Sequence, residues 1–219
     1  MKTTEKKVLQ SVQAIITLPP DYRHQATLDL TKSRKAVVGA IVSGIVLLIT
    51  VGWLFVQFTN LVRPSALEAL KFHAILTTTA SGGTSITIPF QVPVIALVLV
   101  MLIHELVHGL FYWWFAGQRP AFGIKGLGVY VAAPAKFYFP RNQYLVVGIA
   151  PLVLLTLVGL LLVTIVPVVV VPILILFVAF NAAGVAGDLL MVKRLLSYSP
   201  DTLMQDTGSG VTVYGQEHS

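Results

Sequence analysis

The sequence predicts an all-α polytopic membrane protein with about four transmembrane helices, joined by loops that contain short β-hairpin-like or re-entrant segments. Of its 219 residues, 56% are hydrophobic and only 11% are charged, and the mean hydropathy is +0.83. A soluble globular domain typically carries about 25% charged residues, so this composition excludes a soluble protein with a large core. The apolar residues also fall in runs long enough to cross roughly 30 Å of hydrocarbon.

The chain divides into three parts by composition. Residues 1–35 are polar and basic and predict a cytoplasmic arm that rests on lipid headgroups. Residues 36–194 predict a membrane-embedded domain, and the polar residues 195–219 predict a cytoplasmic tail without a catalytic role. The predicted spans cover about 36–58, 93–116, 144–166 and 171–192.

Two of the connecting loops have the pattern of strands around a turn. Residues 77–90 place Ser81-Gly82-Gly83 between flanks rich in Thr and Ile, which predicts a hairpin. Residues 122–131 are glycine-spaced and rich in strand formers, so they predict either a hairpin or a basic loop on the membrane surface. In the hairpin interpretation, one edge pairs with an unwound substrate segment by strand addition.

The second span contains a candidate metal and catalytic motif, His104-Glu105-Leu106-Val107-His108. Residues four apart lie on one face of a helix, so both imidazoles can reach one cation. The glutamate between them is then placed to act on a water bound to that cation. Because ionisable side chains at bilayer depth are costly, His104, Glu105 and His108 are candidate functional residues.

A third metal ligand can be sought by elimination. Across the four predicted spans, the ionisable residues are the three of the motif and Asp188. A catalytic zinc usually has three protein ligands and one water, so we expect Asp188 to be the third ligand. The alternative is that Asp188 pairs with Lys193 or Arg194 at the interface. Asn181 shares a helical face with Asp188, where it would hold the substrate backbone or orient a ligand.

The distribution of basic residues predicts the orientation in the cell membrane. Thirteen of the fifteen Lys and Arg residues fall in segments 1–35, 117–143 and 193–194, which lie on one side if there are four spans. The positive-inside rule then places both termini in the cytoplasm. The formal charge of +6 is explained by these residues facing anionic lipid, so no nucleic-acid partner is expected.

Three stretches carry a resemblance to known proteins, namely HELVHG at 104–109, FPRNQYLVVGIAPL at 139–152 and NAAGVAGDL at 181–189. By these the chain resembles the family called putative zincin peptidases of prokaryotic membranes, and it is more distantly similar to the site-2 intramembrane metalloproteases. The resemblance runs from residues 18–23 to 214–215. It implies that His104, His108 and Asp188 bind zinc and that Glu105 is the catalyst.

The sequence also departs from the site-2 pattern. Those proteases usually have prolines within an Asn…Asp-Gly motif, whereas here Gly184 stands in the middle and Leu189 follows the aspartate. The segment Gly148-Ile149-Ala150-Pro151 resembles the glycine-proline motif of their intervening helix. A PDZ-like regulatory domain is not evident in the sequence.

The expected function is that of a zinc-dependent endopeptidase with a Zn2+ cofactor. Its partners would be the lipid bilayer and a membrane-embedded or membrane-proximal protein or peptide substrate, with Glu105 as general base. One alternative is a metal-binding membrane protein or transporter. The first and third spans, however, lack the ionisable residues that a transport path through the membrane requires. Another is an inactive relative acting as a membrane chaperone, which would not need Glu105. The substrate and the oligomeric state stay open.

Overall fold

A computed structural model describes residues 14–66, 75–78, 84–87, 90–125, 128–208 and 210–217. Its helices are α1 (Arg34–Val62), α2 (Gln91–Ala116), α3 (Arg141–Leu162), α4 (Val171–Gly184) and α5 (Ala186–Leu195). Its strands are β1 (Tyr22–Leu28), β2 (Ile75–Thr78), β3 (Thr84–Thr87), β4 (Ala121–Lys125), β5 (Gly128–Ala132), β6 (Phe139–Pro140), β7 (Leu203–Asp206) and β8 (Val211–Gln216).

The fold is mostly helical, as predicted, and small sheets accompany the helices. Within the described residues, four helical units are long and apolar enough to cross a membrane: α1, α2, α3 and the unit Val168–Leu195 that contains α4 and α5. The observed bounds differ from the predicted ones by a few residues. The helix α1 begins earlier because the Ser33 hydroxyl caps it by accepting from the Ala36 N–H. The helix α2 ends where Gly117 takes a left-handed conformation with φ +65°.

The helix α4 is the centre of the bundle and packs against α1, α2 and α3. Glycines at the points where these helices cross allow the helices to approach one another closely. A side chain at Gly159 of α3 would overlap Val178, and a Cβ at Gly44 of α1 would lie 3.1 Å from the Ala183 carbonyl oxygen. Small residues therefore allow α1 to pack closely against α4 at Ala183.

The fourth predicted span is a helix interrupted at one residue, Val185. The backbone stays connected across the break, because Val185 donates to Asn181 at 3.0 Å and Leu189 donates to Val185 at 2.8 Å. The break places Asp188 in the first turn of α5.

Both predicted hairpins have paired strands. The strands β2 and β3 are antiparallel with Leu76 opposite Ile86, while the turn that contains Ser81-Gly82-Gly83 lies outside the described residues. The strands β4 and β5 are antiparallel with Phe122 opposite Val131. Presentation of a substrate by either hairpin stays a prediction.

The terminal segments fold into a sheet whose strand pairing the sequence does not predict. Four antiparallel strands lie in the order β1-β8-β7-β6, so the predicted arm and the predicted tail pair with each other. Met204 of β7 and Val211 and Val213 of β8 are buried in one cluster with Leu195 of α5. The strands are short, and β1 and β8 are far apart in sequence, so no local pattern reveals their pairing. Residues 1–13 of the predicted arm lie outside the described part of the chain.

Candidate metal and catalytic site

The helix α2 presents His104 and His108 on its buried face, where they are 9% and 8% exposed. Their Nε2 atoms lie 3.1 Å apart. The Asp188 Oδ2 atom approaches from α5, at 3.2 Å from His104 Nε2 and 3.5 Å from His108 Nε2. The structure thus brings the three predicted ligands together, and these residues form a group able to hold a metal ion.

The alternative for Asp188, an interfacial ion pair with basic residues of its own helix, is not what the structure shows. Among the described residues, the ion-pair contacts of Asp188 are with His104 and His108. Lys193 and Arg194 lie at the far end of α5 and are exposed. The carboxylate is therefore directed into the bundle instead of toward the headgroups.

The other ring nitrogens are hydrogen bonded to groups that determine where the ring protons lie. His108 Nδ1 lies 3.0 Å from the Val147 carbonyl oxygen, which can only accept, so His108 Nδ1 is the donor. The Asn181 amide nitrogen donates to the Pro151 carbonyl at 3.1 Å. The Asn181 oxygen therefore faces His104 Nδ1, at 3.1 Å, and accepts from it. In their neutral form, both imidazoles then direct an Nε2 lone pair toward Asp188.

Three electron-pair donors that converge in this way need positive charge between them. Two neutral imidazoles and a carboxylate are a donor set that zinc prefers. Zn–N and Zn–O bonds of about 2.0–2.1 Å in a tetrahedral site separate the ligand atoms by about 3.3 Å. The observed separations of 3.1, 3.2 and 3.5 Å agree with that value. His104, His108 and Asp188 therefore fit zinc.

Glu105 lies beside this group and contacts the β4–β5 hairpin. Its Oε2 atom accepts from the Val131 N–H of β5 at 2.8 Å. Gly109 allows the hairpin to come this close, because a Cβ at Gly109 would lie 3.2 Å from Phe122 and 3.3 Å from Val131. The glycine that ends HELVHG thus has a packing role beside the motif.

A cavity of about 320 Å³ adjoins the site. Glu105, His108 and Asp188 line one wall, and residues of the terminal segments, such as Thr31 and Gly210, line another. The cavity connects the candidate metal site to the end of the bundle where the four-stranded sheet lies.

Asp206 is a further residue of this cavity that the sequence does not reveal as part of the site. Its two oxygens accept from the Ala133 N–H at 3.0 Å and the Gly208 N–H at 2.7 Å. Burial raises the pKa of the Asp206 carboxyl, although these two donors and the Tyr112 hydroxyl partly oppose that shift. Two features of the sequence could have indicated the role of Asp206. Asp206-Thr207-Gly208 is a turn pattern between strand formers, and Tyr112 follows His108 by four residues.

Comparison with known proteins confirms the resemblance to the putative zincin peptidase family. A family model described as "Putative zincin peptidase" matches residues 97–203. The matched segment runs from within α2 to the first residue of β7, so it contains the motif, Pro151, Asn181 and Asp188. Neither the curated proteins nor the solved structures include a significant match.

Proposed function

We propose that this chain, which matches the model of the putative zincin peptidase family over residues 97–203, is a zinc-dependent endopeptidase that cleaves protein substrates within or beside the membrane. The observation that carries the proposal is the convergence of three ligand atoms beside Glu105. His104 Nε2, His108 Nε2 and Asp188 Oδ2 lie 3.1–3.5 Å apart, inside a bundle of helices apolar enough to cross a bilayer.

Each residue of the candidate site has its own role in the proposed reaction. His104, His108 and Asp188 would hold the zinc, which when bound supplies Lewis-acid activation of water and of the scissile carbonyl. Glu105 accepts a proton from the attacking water and returns it to the leaving amine nitrogen. Asn181 is fully buried, with its amide groups engaged by Pro151 and His104, which supports ligand orientation as its role instead of substrate binding.

The position of the β4–β5 hairpin suggests how a substrate reaches Glu105. Peptide bonds in a membrane helix are shielded by their own hydrogen bonds, so the substrate must unwind locally. The Val131 N–H points out of β5 toward Glu105, so a segment that pairs along this edge passes beside the carboxylate. A substrate carbonyl that accepts from Val131 would replace Glu105 there and leave the carboxylate available for the proton.

The proposed location is the cell membrane, with both termini in the cytoplasm. The sheet joins β1, which precedes all spans, to β8, which follows them. The basic residues of the sequence favour the cytoplasmic side for that end of the bundle. Water then enters from the cytoplasm through the cavity beside Thr31 and Gly210.

The arrangement favours an enzyme over a transporter. A transport path needs polar or ionisable groups at successive depths across the membrane. In the part of the chain that the structure describes, the residues able to hold a metal form a single group, His104, His108 and Asp188. A general base directly beside that group is what hydrolysis requires.

The decisive experiment compares the wild type with Glu105→Gln, which keeps the metal-binding side chains and an oxygen for the Val131 N–H. In detergent-purified protein, we expect about one zinc per chain in both proteins by mass spectrometry. Hydrolysis of an unfolded casein probe should fall about 100-fold or more in Glu105→Gln, because general acid–base catalysis is lost. The exposed Glu217→Gln is the matched control and should cleave like the wild type.

Two results would overturn the proposal. Equal casein cleavage by the wild type and Glu105→Gln would exclude Glu105 as the base. A wild type that stays free of zinc after reconstitution would favour an inactive relative that binds membrane proteins.

A further inference from the structure

Pro151 lies inside α3 and is buried at the level of the candidate metal site. Proline has no N–H, and in an α-helix the N–H of residue 151 would bond to the carbonyl of residue 147. Val147 therefore lacks its helical donor. Its carbonyl oxygen instead accepts from His108 Nδ1 at 3.0 Å.

The same proline also contacts the residue that holds the other histidine. The Pro151 carbonyl accepts from the Asn181 amide nitrogen at 3.1 Å. The Asn181 oxygen in turn accepts from His104 Nδ1 at 3.1 Å. A single residue thus connects Pro151 to each histidine. Val147 connects it to His108, and Asn181 connects it to His104.

We propose that Pro151 is a positioning residue for the metal site. Because Pro151 has no N–H, the Val147 carbonyl remains available to accept a hydrogen bond from His108. The proposal rests on the proposed function, because it takes His104 and His108 as zinc ligands. The proline ring adds to the effect, since it crowds the carbonyl four residues before it and tilts that group out of the helix. Both consequences keep a proton on His108 Nδ1 and the lone pair of His108 Nε2 directed at Asp188.

Replacing the proline by alanine should separate metal binding from stability. Alanine restores an N–H that competes with His108 for the Val147 carbonyl, and the helix regains a regular hydrogen bond. Loss of an outer partner of a metal-bound histidine typically lowers metal affinity about 10–100-fold. Zinc affinity should therefore fall while the stability of the zinc-free protein is unchanged or higher. A purely structural role for Pro151 would make both fall together.

The test uses Pro151→Ala with Pro172→Ala as the matched control. Pro172 lies in the first turn of α4, more than two helical turns before Asn181, so its replacement frees or occupies no carbonyl that bonds to His104, His108 or Asn181. Three quantities are measured on the detergent-purified full chain. They are zinc affinity by competition with a chelator, thermal unfolding of the zinc-free protein, and the tautomer of His108 in the zinc-free protein by 15N NMR of labelled histidines. His108→Ala assigns the signal.

We expect Pro151→Ala to bind zinc about 10-fold or more weakly, to lose part of the Nδ1–H tautomer of His108, and to unfold no earlier than the wild type. An unchanged tautomer and an unchanged zinc affinity would overturn the proposal, as would a loss of affinity accompanied by a loss of thermal stability. If the wild type binds no zinc, the proposed function fails, and the tautomer of His108 still decides whether Pro151 acts through Val147.

Discussion

Replacement of Asn181 by alanine tests whether the site depends on a buried amide. The Asn181 side chain is completely buried and makes two hydrogen bonds of 3.1 Å, one to the Pro151 carbonyl and one from His104 Nδ1. Alanine removes both bonds and leaves two buried polar groups without partners. We therefore expect two effects, a lower stability of the bundle and a less fixed orientation of His104.

The two effects have separate magnitudes. Hydrogen bonds between membrane helices contribute about 0.6 kcal/mol on average and up to about 1.7 kcal/mol, so two of them give a loss of roughly 1–3 kcal/mol in the free energy of unfolding. The loss of the oxygen that orients His104 should weaken zinc binding about 10–100-fold, or about 1.4–2.7 kcal/mol.

A second substitution distinguishes the two effects. Asn181→Asp keeps an oxygen for His104 Nδ1 but loses the donor to the Pro151 carbonyl. We therefore expect Asn181→Asp to bind zinc more tightly than Asn181→Ala while it remains less stable than the wild type. Zinc affinity is measured by chelator competition and stability by thermal unfolding in detergent. Asn142→Ala, at an exposed asparagine of α3, is the matched control.

A loss of stability in Asn181→Ala without any loss of zinc affinity would contradict this prediction. Asn181 would then be only a hydrogen bond between α3 and α4, and the orientation of His104 would come from other contacts. Weaker zinc binding in Asn142→Ala would also count against it, because that change would reflect general damage to the bundle.

Two further predictions concern the sheet and the helix crossings. Burial raises the pKa of Asp206 above its ordinary 3.8, so the native state binds this proton more tightly than the unfolded chain does. Stability should therefore fall as the pH rises from about 4 through the native pKa, and thermal unfolding at several pH values should show that Asp206→Asn removes this slope; an equal slope in both proteins would refute the assignment. Gly159→Ala should destabilise the bundle by about 1–3 kcal/mol through overlap with Val178, whereas Gly184→Ala, where a Cβ meets nothing within 4 Å, should not lower the unfolding temperature.

The predicted metal residues were accessible from the sequence because their signals are local or compositional. The spacing of His104 and His108 follows from the helical repeat alone. Asp188 follows from the scarcity of ionisable residues in apolar spans, and no knowledge of the packing is needed. The spans themselves are predictable from length and hydropathy, with errors of a few residues at their ends, as where Ser33 caps α1 before its predicted start.

The partners of these residues could not be predicted in the same way. The Val147 carbonyl and the Val131 N–H are backbone groups, which every residue carries, so no residue type marks them. The role of Asp206 depends on the pairing of β7 with β6, which begins more than sixty residues earlier. Long-range pairing of short strands leaves no periodic signal, and the polar composition of the whole terminal segments predicts arms and tails.

The pairing of β1 with β8 has a consequence for the timing of activity during biosynthesis. The strand β1 is synthesised before the first span, but β8 emerges only after the last one. Asp188 and Asp206 also come late, so a nascent chain holds the HExxH helix in the membrane well before the third donor side chain and the cavity wall exist. On the proposed function, the nascent chain therefore lacks a complete metal-binding group until translation has passed Asp188, and a complete cavity wall until translation has passed Gly210.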